Sequence, residues 1–257
     1  MSGFPGAMGP AGRRGTHVRA GTSGFAFPEW RGAFYPADLA ADRLLSYYAA
    51  RLPTVEVNST FYRMPSEETL RAWAEQTPPG FLFAVKAHRR ITHVKRLRDV
   101  DAELRWTADR LGALENRLGA VLFQCPPSLK CDLHVLEQFL AALPPLPRVA
   151  VEFRHPTWFQ EGTYELLRRH RVALCVGEDE EGSDPFVWTA PFGYLRLHRL
   201  YYGMDLLRAW AERLRQAPVA EVFCYFTHDA GPQAAAFART LMELCAAEPE
   251  PSAVPPR

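Results

Sequence analysis

From residue 18 to residue 247, short runs of Val, Ile, Leu, Phe and Ala alternate with longer segments whose apolar residues recur every three to four positions. The short runs have strand length and the longer segments have helix length. Strand runs are expected at Val18 to Gly21, Thr54 to Asn58, Phe81 to Lys86, Ala120 to Gln124, Arg148 to Phe153, Val172 to Val176, Tyr194 to His198 and Val219 to Phe226. Helical periodicity is expected over Ala37 to Arg51, Val100 to Leu118, Leu133 to Leu143, Thr163 to His170, Asp205 to Gln216 and Pro232 to Cys245. A further helix opens at Ser66-Glu67-Glu68-Thr69, where a serine cap precedes an acidic first turn. After the sixth strand the alternation falters. Gly177 to Pro191 is acidic and irregular, with a short strand signal at Phe186 to Thr189.

Strands separated by helices imply a parallel sheet, because parallel neighbours need crossover connections. Eight such strands are the number that closes a (β/α) barrel. The expected fold is therefore α/β: a single-domain TIM-like (β/α) barrel over 18–247, flanked by a disordered leader, 1–17, and a disordered tail, 248–257. An open doubly wound sheet is the competing arrangement, but no GxGxxG or Walker-type loop follows any strand run.

In such barrels the active site forms at the C-terminal ends of the strands, and these ends are polar throughout. The second run leads into Glu56-Val57-Asn58-Ser59-Thr60-Phe61-Tyr62. In an extended chain Glu56 and Asn58 share a face, and neither has an apolar reason to be there. Strand one contributes Thr22 and Ser23, strand three Lys86 with His93 beyond it, and strand four Gln124. Strand five contributes Glu152 and Arg154, then His155 and Trp158. Strand seven contributes Arg196 and His198, and strand eight is followed by His228 and Asp229. Charged side chains rarely enter a core unpaired, so these groups either neutralise one another or build a site. Lys86, Arg154 and Arg196 against Glu56 and Glu152 leave one positive charge in excess, which suits a phosphate or carboxylate.

Composition narrows the alternatives. Of 257 residues 47% are hydrophobic, enough for a large core, and the formal net charge of +1 provides no overall attraction to nucleic acid or to a membrane. No apolar run approaches the roughly 20 residues of a membrane-spanning helix. Arg13-Arg14 is followed by Gly15-Thr16-His17-Val18-Arg19, not by the apolar region of an export signal. The five cysteines are scattered without CxxC spacing, as expected of reduced thiols in a cytoplasmic protein.

The chemistry expected at the strand ends is acid–base. Glu56 or Glu152 would take or give the proton, with His198 and His93 as relays. Arg154, Arg196 and Lys86 would clamp the anion, and Asn58 and Gln124 would hydrogen-bond it. Thr22, Ser23, His155 and Asp229 complete the polar set; Trp30, Tyr62 and Trp158 either offer faces on which a ligand could stack or, as such clusters more often do, pack a long loop over the barrel mouth. No cofactor is implied. A divalent metal assembled from Glu56, Glu152, His155, His198, His228 and Asp229 is a competing reading, without diagnostic local spacing. It would make the chain a nucleic-acid-processing, phosphodiesterase-like barrel. A non-catalytic binding barrel is the third alternative.

Several motifs occur in a fixed order: Gly21-Thr22-Ser23-Gly24, Trp30-Arg31-Gly32, Phe34-Tyr35-Pro36, Glu56 to Tyr62, Lys86 with Ile91-Thr92-His93, and Leu122-Phe123-Gln124 with Pro126-Pro127. Val151-Glu152-Phe153-Arg154-His155 with Trp158, and Tyr194-Leu195-Arg196-Leu197-His198, follow. In these motifs the chain resembles the domain-of-unknown-function 72 family, also called YecE-like. The resemblance implies a TIM-like barrel with its polar strand ends as the site, and implies no particular reaction. It departs from the family pattern at Thr227-His228-Asp229, where an Asn-Asn-Asp ending is usual, and at Arg199, where a glycine commonly follows the histidine.

Overall fold

The structure is a computed structural model that describes residues 15–247; most of the expected leader and the whole expected tail lie outside the described residues. The strands are β1 (His17–Thr22), β2 (Thr54–Val57), β3 (Leu82–Lys86), β4 (Leu118–Gln124), β5 (Val149–Glu152), β6 (Ala173–Glu178), β7 (Phe192–Leu197) and β8 (Glu221–Phe226). His17, placed in the leader from sequence, already pairs with Glu221. Every ladder is parallel, and the hydrogen-bonded order is β1-β8-β7-β6-β5-β4-β3-β2. Sequence neighbours are spatial neighbours all the way round, with no reversal of order inside the sheet. That is a barrel and excludes the doubly wound arrangement.

Strands β1 and β2 are the two ends of this order and share no ladder. The Tyr48 hydroxyl joins them, accepting from Thr22 N at 2.9 Å and donating to the Thr54 carbonyl at 3.0 Å. Close approach at this seam needs Gly21, because a Cβ there would stand 2.1 Å from the Thr54 carbonyl oxygen.

The helices are α1 (Leu44–Ala49), α2 (Glu67–Glu75), α3 (Asp101–Leu111), α4 (Leu133–Ala141), α5 (Glu161–Arg169), α6 (Met204–Arg215) and α7 (Gln233–Ala246). Ser66 caps α2 as its sequence predicts, accepting from Thr69 N at 3.3 Å. Two helices are shorter than their periodicity suggests. The first is preceded by a single 3-10 turn, Ala41–Arg43, not by a helix from residue 37. The third gives way to a 3-10 stretch, Gly112–Arg117, in which Glu115 adopts φ 50°. No helix joins β6 to β7, and the strand expected at 186–189 is irregular. The Thr189 hydroxyl accepts from Leu174 N and donates to the Val172 carbonyl, each at 2.7 Å, so a side chain pins this segment where a ladder was expected.

Period-two alternation divides each strand between two cores. Val55, Val57, Phe83, Val85, Phe123, Val151, Leu174 and Leu195 face outward and pack in the main cluster under the helices. Burying each such side chain contributes about 1.5–3 kcal/mol. The lumen departs from the layers of branched aliphatics usual in this fold. Its β3 to β6 side carries Ala84, Ala120, Ala150 and Ala173, and its β7 to β8 side carries Phe192, Tyr194, Phe223 and Tyr225. The rings fill the space that the alanines leave. Glu221 closes the N-terminal end by pairing with Arg19 at 2.6 Å and Arg148 at 2.7 Å, which leaves the C-terminal end for the polar side chains.

Candidate active site at the barrel mouth

Glu56, one position before the end of β2, points into the lumen and is fully buried. It accepts from the Tyr194 hydroxyl at 2.7 Å, and from Arg196 through Nη2 at 2.9 Å and Nε at 3.1 Å. Arg196 Nη1 continues to Glu152 Oε2 at 2.7 Å. Glu152 also accepts from Gln124 Nε2 at 2.9 Å and Arg154 Nε at 2.8 Å. Four strands thus converge on one chain of charge-assisted hydrogen bonds, Glu56 to Arg196 to Glu152 to Arg154. Burial alone would raise the Glu152 carboxyl. The charges of Arg196 and Arg154, with the bonds from Arg154 and Gln124, outweigh it and hold that carboxyl well below the usual range. The carboxylate tuned toward neutrality that strand position suggested is therefore not Glu152, which stays ionised as an oriented anion.

The tuned carboxylate is Asp184, in the irregular segment after β6. It is half-buried, and burial pushes it up to about 6, with the neighbouring Glu152 and Asp179 charges adding to the rise against a bond from Gly177 N. That bond measures 3.0 Å, and Asp184 N donates to the Gly177 carbonyl at 2.8 Å, so the segment folds back onto β6. The sequence carries no local signal for this residue beyond an acidic, broken pattern. Asp184 lines a cavity of about 630 Å³ with Glu152, Arg154, Arg196, His198 and Glu178. His198 is kept below its usual value by burial and by the charge of Arg196. The β6–β7 segment brings Asp179 and Glu181 to the same rim. The one-charge cationic excess counted from strand ends is thus confined to the β3 to β5 side, and the β6 to β7 side is acidic.

Lys86 ends β3 with its Nζ 4.1 Å above the Phe61 ring, and burial, then repulsion from Arg196, lowers it to about 8. His93, in the turn Arg90–Val94, packs edge-on against the same ring at 4.8 Å. It too is lowered, by burial and then by Lys86.

The family described as "Protein of unknown function DUF72" matches residues 19–257. The chain belongs to this family. It is 27% identical over 254 residues to UPF0759 protein YunF of Bacillus subtilis, a match covering 82% of this chain and 90% of YunF. It is 34% identical over 122 residues to UPF0759 protein YecE of Escherichia coli K12, covering 47% of this chain and 45% of YecE. The crystal structure of a DUF72 family protein from Thermotoga maritima matches with a TM-score of 0.75 at 30% identity, over 89% of this chain and 97% of that one. A DUF72 family protein from Enterococcus faecalis, 18% identical, shares the fold with a TM-score of 0.75 over 91% and 97% of the two chains.

The DUF72 motifs do not all reach the cavity. Asn58 has left the strand for a helical backbone, φ −96° and ψ −21°, so it no longer shares a face with Glu56. It lines a separate cavity of about 340 Å³ with Ser23, Phe25 and Tyr62, and its Oδ1 is buried without a partner among the described residues. Thr22 is engaged at the β1–β2 seam with Tyr48. Trp30 is wholly buried against Phe27, Phe34 and Tyr35, and so presents no face for stacking. Trp158 is stacked on Phe153 at 4.2 Å, and its indole N–H donates to the Leu129 carbonyl at 2.7 Å. His155 caps its own turn through Thr157. Tyr62 is 71% exposed. Asp229 accepts from the Thr227 hydroxyl at 3.0 Å. Arg199, at the position where the family commonly has glycine, pairs with Glu178 at 3.2 Å and so ties the end of β7 to β6. Among the described residues no three His, Cys, Asp or Glu side chains converge to hold a metal ion. Glu56 and Glu152, offered as ligands by sequence, face Arg196 instead.

Proposed function

We propose that the barrel mouth is the active site of an enzyme performing acid–base chemistry on a small polar molecule that carries a phosphate or carboxylate group. One observation carries this reading. A carboxyl held at about 6, Asp184, shares a cavity with an arginine that is only partly engaged. Arg154 uses Nε on Glu152 and leaves both terminal nitrogens without a partner among the described residues, a fork suited to one anionic group. A carboxyl near neutrality can both take and give a proton at physiological pH. In this assignment Asp184 does the proton transfer that strand position had given to Glu152 or Glu56. Those two, locked by Arg196, form a fixed electrostatic frame that needs no reorganisation during reaction. His198, neutral at pH 7, donates or accepts a hydrogen bond from the opposite rim. The acidic β6 to β7 side would receive hydroxyl or amino groups of the substrate. We place the protein in the cytoplasm, on its five free thiols and on the absence, among the described residues, of any helix long and apolar enough to cross a membrane.

The test is thermal unfolding of the wild type and of Arg154→Ala with inorganic phosphate and a panel of phosphorylated and carboxylated metabolites. Saturation at 100 times Kd contributes about 2.7 kcal/mol to stability. Stabilisation by a subset of these anions, lost in Arg154→Ala, is the expected result. No stabilisation of the wild type, or equal stabilisation of both proteins, overturns the reading.

A further inference from the structure

We propose that Lys86 is a nucleophile that forms an imine with a carbonyl group, so that the anionic substrate is an oxo acid or a phosphorylated aldehyde or ketone. The proposal rests on the anion site just described and adds an electrophile and a covalent step to it.

The choice of residue is the first observation. The chain has 27 arginines and three lysines. Lys130 is exposed, and Lys95 is paired with Glu103 at 2.9 Å. The third, Lys86, ends β3 two positions beyond the lumen-facing Ala84, so it shares that face, and the charges of Arg196, Glu152, Glu56 and Arg154 all reach it. A residue serving only as a fixed cation could be arginine, as it is at nearly every other basic position here. An amine, unlike a guanidinium, can lose its proton and attack a carbon.

The surroundings are the second. Lys86 Nζ makes no hydrogen bond and no ion pair with any described residue; it stands 4.1 Å from the centre of the Phe61 ring. Both carboxylates that could neutralise it are committed to arginines. The amine is half-buried but is not among the fully enclosed unpartnered atoms, so it keeps access to solvent. Charges near it come from Arg196 and Arg154, which oppose protonation, and from Glu152 and Glu56, which favour it; burial is the largest influence and settles the amine at about 8. About a tenth of it is then neutral at pH 7, against roughly one part in several thousand for an exposed lysine. His93 stands on the edge of the same Phe61 ring with Nδ1 on the Thr92 hydroxyl and Nε2 open.

The step balances without a cofactor. The Nζ lone pair attacks the carbonyl carbon, and the C–N bond forms as the C–O double bond opens onto oxygen. The nitrogen gives up one proton, which His93 can carry to that oxygen, and a second proton, taken from solvent, lets the resulting hydroxyl leave as water while the nitrogen lone pair forms the C=N bond. The resulting cationic imine draws electrons from the adjacent carbon, which can then give up a proton to a base and take it back.

The experiment is reductive trapping. Wild-type protein and Lys86→Arg are incubated separately with pyruvate, glyoxylate and dihydroxyacetone phosphate, then treated with sodium borohydride and analysed by intact and peptide mass. The expected result is one adduct on the peptide containing residue 86, with the mass of the carbonyl compound less one oxygen. The adduct should be lost in Lys86→Arg, with Lys95 and Lys130 as internal controls. Thermal unfolding establishes that Lys86→Arg is folded, and thermal shift with inorganic phosphate monitors the anion site. If phosphate stabilises the wild type but no carbonyl compound labels Lys86, or all three lysines label alike, the imine is overturned and the anion site stands. If phosphate fails to bind as well, both readings fall.

Discussion

Replacing Arg196 with leucine removes the cation that Glu56 and Glu152 share. Arg196 is 4% exposed, and it bonds Glu56 at 2.9–3.2 Å and Glu152 at 2.7 Å. Glu152 would keep Gln124 and Arg154, but Glu56, with no solvent exposure, would keep only the Tyr194 hydroxyl. Breaking a buried ion pair from one side costs about 3–5 kcal/mol, because a charge stays buried without compensation. At a urea m-value of about 2 kcal/mol/M, the unfolding midpoint falls by about 2 M. The pH dependence distinguishes a charge effect from a packing effect. In the wild type the folded carboxyl of Glu152 lies below its unfolded value, so its stabilisation is present above about pH 4 and is lost only as pH falls through the lower folded value. Without Arg196 the largest influence lowering the Glu152 carboxyl is gone, and burial, which raises it, is opposed only by Arg154 and Gln124. The variant then loses this stabilisation above pH 4, and the loss shrinks as the carboxyl takes up a proton. The gap between the proteins should narrow steadily from pH 8 to pH 4. A gap under about 1 kcal/mol at pH 7, or one that does not change with pH, refutes the charge account.

Other substitutions test the seam and the proton-transferring group. Gly21→Ala places a Cβ against the Thr54 carbonyl oxygen and should lower the melting temperature sharply, by the equivalent of about 3 kcal/mol or more. An unchanged melting temperature would mean that β1 and β2 are not packed as described. Tyr48→Phe leaves Thr22 N and the Thr54 carbonyl without their shared partner and should cost about 1–3 kcal/mol in chemical denaturation, with little change in far-UV circular dichroism. Asp184→Asn should stabilise the protein. Its folded carboxyl is raised to about 6, above the unfolded value, so ionising it costs stability as pH rises through this window. The gain should be about 1–2 kcal/mol at pH 7, after discounting for partial exposure, and should vanish below about pH 4 while any turnover is lost. A variant no more stable than wild type at pH 7 contradicts the raised value.

The arrangement of strands and helices was legible because periodicity is local. Apolar alternation at Val55 and Val57 or Phe83 and Val85 shows a strand whatever it packs on. The count of eight and the polar strand ends followed from the same pattern, and placed Glu56, Gln124, Glu152 and Arg196 in one region. The pattern misled where a strand ended. The turn at Asn58 took that side chain into another cavity, and no periodicity in five residues reports a change of backbone from extended to helical. Trp30 and Trp158 were legible as aromatics near the mouth. Whether a ring faces the mouth or the core depends on what packs over it, and for Trp158 that is Phe153 and the Leu129 carbonyl.

The chain by itself determined the barrel, its polar end and the residue types available there, since these depend on spacing along the chain. Only the tertiary structure decided which charges are mutually satisfied and which are left to act. Glu56 meets Arg196 across 140 positions of sequence, and this meeting removes both from the list of free groups. It also leaves Lys86 without a partner, and the return of the segment after β6 buries Asp184 beside Glu152. Protonation and reactivity follow from burial and from the nearest charges in space. Those neighbours come from different strands, so no local pattern in the sequence records them.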